Sequence, residues 1–386
     1  MVDRRRIVRQ WGQGTARALV TLVHAEGSSY RRPGAHLLIG ADAEYAGTIS
    51  GGCLEAEVVR KAAWMVRGGA IVERYSTLFD DTAEIPFGLG CGGIVDLLLE
   101  PAQTPECHAL VDAMRASISG ATMRVATWLP EAKRSLARVV FDANGSLLFA
   151  SESLDDREIA SVRVTNLATG ILPGDRREDP RIYIETLSPP QRLFVLGAGD
   201  DAKPVVSMAA MLGWRVIVAD GRPQLARPER FPEAERMLVA SSTEDLGIGA
   251  ADAAVIMTHS YEQDRSLLTG LLANMSAGSR SGAAPGYIGL LGALHRSSLL
   301  IGEAAATLDL GVAECCNRVW APVGLDLGGD GAEAIALAVI AEVQAWRLGK
   351  VVASRKLTAE IVAKQIEVGG ASRYLQTHCA LDAAGS

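Results

Sequence analysis

Two cysteines flanked by glycines are the residues of this sequence best suited to chemistry. One stands in Ser50-Gly51-Gly52-Cys53, and the other follows 38 residues later in Gly90-Cys91-Gly92-Gly93. Because glycine adopts backbone shapes that side chains forbid, both segments are predicted to be tight corners. The apolar positions of residues 54–66 recur with helical spacing, so Cys53 is expected at a helix N-terminus. Such a terminus attracts anions and lowers the pKa of a thiol.

The elements around these corners are predicted from alternation of apolar residues and from turn residues. A strand over residues 18–23 leads into the loop Gly27-Ser28-Ser29, and strands over 35–39 and 45–49 pair as a hairpin. The second corner leads into another strand. The other predicted elements of this half are helices over 4–18 and 102–118 and strands over 70–75, 94–100, 124–129, 137–141 and 181–185.

The second half begins with a βαβ pattern that is typical of a Rossmann-like fold. A continuous apolar strand over residues 191–196 runs directly into Gly197-Ala198-Gly199, and a helix over 205–212 follows. The next strand ends on Asp220, which lies 21 positions after Gly199. An acidic residue about 20 positions after such a turn hydrogen-bonds a ribose hydroxyl in dinucleotide-binding proteins. Gly197, Gly199 and Asp220 are therefore candidate nucleotide-binding residues.

Two features of this half leave the nucleotide interpretation open. Asp200 and Asp201 stand where a pyrophosphate would meet the helix, and two carboxylates there would cap the helix and repel a phosphate. The alternative is a Rossmann fold whose nucleotide site is modified or lost. His259 is predicted at the carboxyl end of a third strand, where it either faces a ligand or has a structural role. A fourth strand over 287–292 and a helix over 332–348 complete the predicted core.

Length and composition set the class of protein. With 386 residues the chain is long enough for two domains with separate cores, and Pro189-Pro190 marks the predicted boundary. We expect domains at 1–190 and 191–350, followed by a C-terminal helix and tail at 351–386.

The net charge of −7 argues against a general nucleic-acid binder. No apolar run reaches the roughly 20 residues of a membrane span, and no signal peptide is recognised. The cysteine spacing fits neither a disulfide framework nor a zinc site, which favours free thiols in a reducing cytoplasm.

Glycine- and cysteine-containing motifs throughout the chain resemble the XdhC/CoxI family of xanthine dehydrogenase accessory factors. The resemblance implies an α/β chain in which an N-terminal α+β domain of the XdhC/CoxI type precedes a Rossmann-like parallel-sheet domain. The motifs that carry it are residues 27–35, 47–55, 88–93, 195–199, 213–216, 257–259, 287–292 and 322–328. The sequence departs from the family pattern at Tyr30, where many relatives carry proline, at Asp200-Asp201 and at Gly292-Ala293.

Membership in this family implies a role in maturing molybdenum hydroxylases rather than catalysis by the chain itself. Such proteins bind molybdenum cofactor (molybdopterin) as cargo, hold it while its terminal sulfur is installed, and pass it to an apo-enzyme such as xanthine dehydrogenase. A cysteine desulfurase is the sulfur donor that the resemblance implies. A homodimer is also expected.

The chemistry of this cargo assigns roles to the two corners. The cofactor carries a pterin, a dithiolene pair on the metal and a phosphate, so a carrier needs backbone amides and a soft ligand. We expect Ser50, Gly51 and Gly52, together with Gly90, Gly92 and Gly93, to supply free amides. Cys53 and Cys91 are the candidate molybdenum ligands or persulfide carriers, and Arg31 and Arg32 the candidate phosphate partners.

Three alternatives remain at this point. Cys53 and Cys91 are either functional or small buried hydrophobes in tight turns, as free cysteines often are; the other four cysteines, Cys107, Cys315, Cys316 and Cys379, are interpreted as buried hydrophobes. The chain is alternatively an NAD(P)-dependent oxidoreductase with His259 near the hydride site. A further alternative is a scaffold whose Rossmann half docks the partner enzyme or dimerises.

Overall fold

The computed structural model divides the chain into two compact units, Met1–Pro190 and Gln191–Ser386. It describes residues 1–27, 29–76, 93–163, 169–172, 181–244, 246–276, 285–350 and 357–369. The prediction of an N-terminal α+β part followed by a Rossmann-like parallel sheet is confirmed. Cys91 and its neighbours Gly90 and Gly92 lie outside the described residues.

The first unit contains two antiparallel five-stranded sheets and the helices that pack on them. Its elements are α1 (Val2–Trp11), β1 (Ala18–Gly27), β2 (His36–Ile39), β3 (Tyr45–Gly47), α2 (Cys53–Met65), β4 (Ile71–Ser76), β5 (Gly93–Pro101), α3 (Pro105–Ile118), β6 (Met123–Trp128), β7 (Ala137–Phe141), β8 (Leu147–Ala150), α4 (Asp156–Arg163), β9 (Gly170–Ile171) and β10 (Ile182–Leu187). Sheet A has the order β3-β2-β1-β5-β4, and sheet B the order β8-β7-β6-β10-β9.

Most predicted elements of this unit are present, with shifted ends. The helix expected over 4–18 ends at Trp11, because the chain turns after Gly12. The turn passes through Gly14, which has a φ of +72°. The hairpin of β2 and β3 forms as predicted, with Leu37 opposite Gly47. The predicted helix over 102–118 begins only at Pro105, where the Thr104 hydroxyl accepts a hydrogen bond from the Cys107 amide.

Buried charges lie between the two sheets. The Arg138 guanidinium donates to both oxygens of Glu100 at 2.9 and 3.0 Å, and both side chains are almost completely buried. It also donates to the Thr127 hydroxyl. A pair that is desolvated in this way needs its full set of hydrogen bonds.

The second unit is a parallel sheet covered by helices on both faces. Its elements are β11 (Arg192–Leu196), α5 (Ala202–Met211), β12 (Arg215–Asp220), β13 (Arg236–Val239), β14 (Ala253–Ile256), α6 (Tyr261–Ser276), β15 (Tyr287–Leu290), α7 (Leu294–Leu308), α8 (Val312–Arg318), β16 (Val319–Trp320), α9 (Ala332–Arg347) and α10 (Ala359–Gly369). This sheet C has the order β13-β12-β11-β14-β15-β16. Its strands are rich in buried aliphatic residues, as expected when both faces are covered.

The order of sheet C fixes where a ligand would bind in this fold. The chain moves from β11 outward to β12 and β13, then returns to β14 on the other side of β11. The carboxyl ends of β11 and β14 therefore flank the topological switch point, which is the usual ligand crevice of open α/β sheets. The strands end earlier than predicted, at Ile256 and Leu290, so His259 lies in the loop beyond β14.

Candidate functional site

Sheet A brings the loops of interest to one edge. Gly27, the last residue of β1, lies opposite Gly93, the first residue of β5. Ser76 ends β4 opposite Ile94. Because β2 is antiparallel to both β1 and β3, β3 runs in the same direction as β1. Its last residue, Gly47, pairs with Leu37, which pairs with Val20 of β1, and the corner with Cys53 follows β3. The Gly27 loop and both ends of the segment that contains Cys91 are thus attached to the same end of sheet A, and the Cys53 corner follows a strand that runs toward that end.

The Cys53 corner is organised by the carboxylate of Glu55. This carboxylate accepts hydrogen bonds from the amides of Ile49 at 3.0 Å, Ser50 at 2.8 Å and Gly52 at 3.0 Å, and from the Ser50 hydroxyl. The bond to the Gly52 amide is that of a capping box, in which the third helical residue reaches back to the N-cap. The expectation of free amides at Ser50 and Gly52 is therefore wrong, because the protein supplies its own anion to them.

The charge of Glu55 is stabilised despite its burial. Burial is the largest influence and alone would raise the pKa of this carboxyl. The hydrogen bonds from the Ser50 side chain and from the backbone of Ser50, Glu55 and Ile49 outweigh it and hold the pKa below its ordinary value. Gly52 completes the corner with φ +117°, a conformation that favours glycine. Cys53 is the first residue of α2, as predicted.

The loop after β1 is anchored beside this corner. The Gly34 amide donates to the Leu22 carbonyl at 2.9 Å, which closes the loop onto β1. Arg31 pairs with Asp3 of α1 at 2.7 Å, so this guanidinium already has a carboxylate partner. Arg32 is exposed. The ring of Tyr30 lies against Gly51, since a β-carbon added to that glycine would be 3.8 Å from ring atoms Cγ and Cδ2.

In the second unit, the glycine turn after β11 packs closely on the end of β14. Gly197 has φ +132°, and an added β-carbon would lie 2.3 Å from the Met257 carbonyl oxygen. An added β-carbon at Gly199 would instead meet the Asp201 carboxylate oxygen Oδ1 at 2.4 Å. Gly197 is therefore required by backbone packing at the switch point, whereas Gly199 faces a side chain.

Asp220 is used inside the protein. It is buried, and its oxygens accept hydrogen bonds from the Ala198 amide at 2.7 Å, from the Arg222 amide at 2.8 Å and from the Arg222 guanidinium. Burial alone would raise its pKa, but these bonds, the Arg222 side chain first, hold the pKa below its ordinary value. A carboxylate with these partners has little capacity left for a ribose hydroxyl.

The prediction that the two aspartates of the glycine turn cap the helix is wrong. Asp201 stands at the N-cap of α5 without a side-chain capping bond, and its Oδ2 lies 2.7 Å from Nε2 of His259. Asp200 pairs with Lys203 and Arg230. These carboxylates and the internal partners of Asp220 do not support binding of NAD(P) at the switch point.

A buried network beyond β14 was not identified from the sequence. The Asp264 carboxylate accepts from the amide and hydroxyl of Thr258 at 3.1 and 2.6 Å and pairs with Arg296. Tyr261 donates its hydroxyl to Glu303 at 2.8 Å. Several of these partners are far apart in sequence, so spacing gave no signal. Glu55 could have been identified, since a carboxylate three residues after a helix N-cap is the capping-box pattern.

A cavity in the first unit lies at the opposite edge of sheet A. Its volume is about 950 Å³, and the residues that line it include Glu100, Glu106, Arg134 and Ser151. None of the predicted site residues lines it. Within the described ranges, no group of three or more histidine, cysteine, aspartate or glutamate side chains is placed to hold a metal ion. No helix of the described part has the length and apolar composition needed to cross a bilayer.

The fold of the described residues defines a two-part α/β protein of a recognisable class. A model described as the XdhC and CoxI family matches residues 10–76, and one described as the XdhC Rossmann domain matches residues 193–343. Together they match more than half of the chain. The chain belongs to the XdhC and CoxI family.

Individual relatives match over most of the chain. A Bacillus subtilis protein named as a probable xanthine dehydrogenase subunit is 27% identical over 84% of this chain and 91% of its own length. The molybdenum cofactor insertion chaperone PaoD of Escherichia coli is 24% identical over 87% of this chain and 85% of its own length. A crystal structure titled as a xanthine dehydrogenase from Bacillus halodurans aligns with a TM-score of 0.74 at 25% identity, covering 92% of this chain and 98% of that one.

Proposed function

We propose that this chain is a maturation factor of molybdenum hydroxylases that binds molybdenum cofactor as cargo and delivers it to the apo-enzyme. The observation that carries the proposal is the similarity, over most of both chains, to the insertion chaperone PaoD and to the Bacillus subtilis protein named as part of a xanthine dehydrogenase. The proposed recipient is an apo-xanthine dehydrogenase or a related molybdenum hydroxylase. In this proposal the chain is a carrier rather than an enzyme.

The proposed cargo site is the end of sheet A where β1 ends and β5 begins, and the proposal assigns both the Cys53 corner and the Cys91 motif to it. Sulfur is a ligand that molybdenum accepts, and Cys53 and Cys91 are assigned to the metal end of the cargo. Arg32 is the proposed phosphate partner, because Arg31 is already paired with Asp3. We assign the corner residues Ser50, Gly51 and Gly52 to shaping this site, since Glu55 occupies two of their amides.

The second unit is proposed to act as a scaffold and not as a nucleotide site. Gly197, Asp220 and His259 all have internal contacts that account for their positions. The proposal also includes a cysteine desulfurase, which supplies the terminal sulfur while the carrier holds the cargo, and a homodimeric carrier in the cytoplasm. Size-exclusion chromatography with light scattering tests the dimer.

Anaerobic binding of molybdenum cofactor to the purified full-length protein tests the main proposal. We expect near-stoichiometric pterin in the wild type and reduced retention in Cys53→Ala and Cys91→Ala. Cys107→Ala is the matched control, because that thiol is buried in the core and its burial raises its pKa well above the ordinary value. NADH at millimolar concentration is the parallel ligand. Nucleotide binding without pterin would refute the carrier proposal, and full retention in both cysteine variants would remove the cysteines from it.

A further inference from the structure

We infer that Tyr30 is a specificity-determining residue whose ring stacks on the planar pterin of the cargo. This inference rests on the proposed function and adds to it a residue that contacts the organic part of the cofactor. Tyr30 has the most exposed aromatic ring among the described residues of the first unit, with 76% of its surface accessible. An aromatic ring in this state has a large apolar face available to a ligand.

The loop that carries Tyr30 is held in place on both sides of this residue. On one side of Tyr30, the Ser29 hydroxyl donates to the Arg31 carbonyl at 2.8 Å. On the other side, the Arg31 guanidinium is anchored to Asp3 at 2.7 Å. The loop then rejoins β1 through the bond from the Gly34 amide to the Leu22 carbonyl. A loop anchored in this way needs little further ordering of its backbone when a ligand stacks on its exposed ring.

The position of the ring links it to the proposed cargo site. It lies beside Gly51, the glycine two residues before Cys53, at a distance where a β-carbon added to Gly51 would be in ordinary contact with the ring, 3.8 Å from its nearest atoms. The part of the ring turned away from Gly51 is accessible to solvent. A cargo bound at the Cys53 corner would therefore lie close to this ring.

The chemistry of the cargo favours a pterin as the group that covers Tyr30. The pterin of the cofactor contains a planar pyrimidinone ring, and stacking of flat rings on aromatic side chains is a general mode of recognition that tolerates varied edge contacts. The alternative occupant is the surface of the apo-enzyme that receives the cargo. The two occupants are distinguished by measuring cargo binding and cargo delivery separately.

The experiment compares Tyr30→Leu, Tyr30→Phe and the control Trp64→Leu in the full-length protein. Trp64 is also an exposed aromatic residue (66%) but lies in the last turn of α2, far along the helix from Gly51. Dissociation constants are measured anaerobically for molybdenum cofactor and for a simple pterin without the dithiolene by equilibrium dialysis, with the pterin quantified by its fluorescence after oxidation. Delivery to an apo-molybdenum hydroxylase is measured with each loaded variant.

We expect Tyr30→Leu to weaken binding of molybdenum cofactor by at least about tenfold, which corresponds to about 1.4 kcal/mol. Tyr30→Phe and Trp64→Leu should bind the cofactor as the wild type does. For the simple pterin, too, Tyr30→Leu should bind more weakly than the wild type and the other two variants. Unchanged cofactor affinity in a folded Tyr30→Leu protein overturns the inference. If only its delivery falls, the inference is likewise overturned and Tyr30 contacts the apo-enzyme. Absence of cofactor binding by the wild type would instead refute the proposed function itself.

Discussion

Nε2 of His259 lies 2.7 Å from Oδ2 of Asp201, and this contact joins the loop after β14 to the start of α5 across the switch point of sheet C. His259 has φ +61°, which is uncommon for a residue with a side chain. A backbone conformation of this kind persists because the surrounding structure holds it. In this unit, the place where an open α/β sheet usually binds a ligand is bridged by two of the protein's own side chains.

The His259–Asp201 contact is expected to contribute little to stability. The His259 side chain is 60% exposed, and exposed ion pairs are typically worth less than about 1 kcal/mol. Asp201→Asn should therefore change the free energy of unfolding of the second unit by less than about 1 kcal/mol in a urea titration. A loss of twice that size would mean that the pair has a structural role that its exposure does not indicate.

The two glycines of the turn should differ sharply in their tolerance of alanine. Gly197→Ala places a β-carbon against the Met257 carbonyl and requires a side chain at φ +132°, so we expect a loss of several kcal/mol or failure to fold. Gly199→Ala meets only the movable end of Asp201, and the cost should be about 1 kcal/mol or less, with loss of the contact to His259. Thermal unfolding of both variants measures the difference, and equal effects would contradict the backbone-packing account of Gly197.

Removal of the Glu55 charge should destabilise the first unit in a pH-dependent manner. Glu55→Gln turns an amide donor toward the donors of Ser50 or Gly52, and a loss of about 1–3 kcal/mol is expected at pH 7. Because the folded-state pKa of Glu55 is lowered, its contribution is present above the unfolded-state pKa of about 4.3 and is lost as the pH falls through the folded-state value.

Urea titrations at a series of pH values measure this effect. The stability difference between the wild type and Glu55→Gln should be constant near neutral pH and should shrink below about pH 4.3. The exposed Glu44→Gln is the control, and its difference from the wild type should stay small throughout. A Glu55→Gln difference that grows on acidification would contradict the assigned role of the carboxylate.

The buried pair of Arg138 and Glu100 should show strong coupling in a double-mutant cycle. Arg138→Met leaves the Glu100 carboxylate buried without its partner, which costs about 3–5 kcal/mol. Adding Glu100→Met removes that uncompensated charge, so the double variant should be more stable than Arg138→Met alone. Guanidinium unfolding of the wild type, both single variants and the double variant gives the coupling energy, and simple additivity of the two losses would contradict a direct ion pair.

The sequence was sufficient for the features that depend on local pattern. The apolar run before Gly197, the helix that follows the turn and the acidic end of the next strand identified the Rossmann-like half, and the glycines at 51 and 52 located the start of α2 at Cys53. These features depend on residues close together in the chain. They were predicted with errors of a few residues at the ends of strands and helices.

The sequence was not sufficient for the partners of the charged side chains. Asp201 was expected to cap α5, but it contacts His259, which is 58 residues away in sequence. Asp220 was a candidate partner for a ribose hydroxyl, with a lost nucleotide site as the open alternative, but the folded chain brings the Ala198 amide and Arg222 to its two oxygens. Such choices depend on which groups the tertiary fold brings within about 3 Å, and periodicity does not record them.

The internal anion at the Cys53 corner changes how natural variation there should be interpreted. Because Glu55 binds the amides of residues 49, 50 and 52, a substitution that disturbs any of them first removes hydrogen bonds that fold the start of α2. Inherited or engineered changes at these positions would therefore lower the amount of intact protein in a cell before they alter binding of the proposed cargo. A phenotype that maps to this corner has to be separated into abundance and binding.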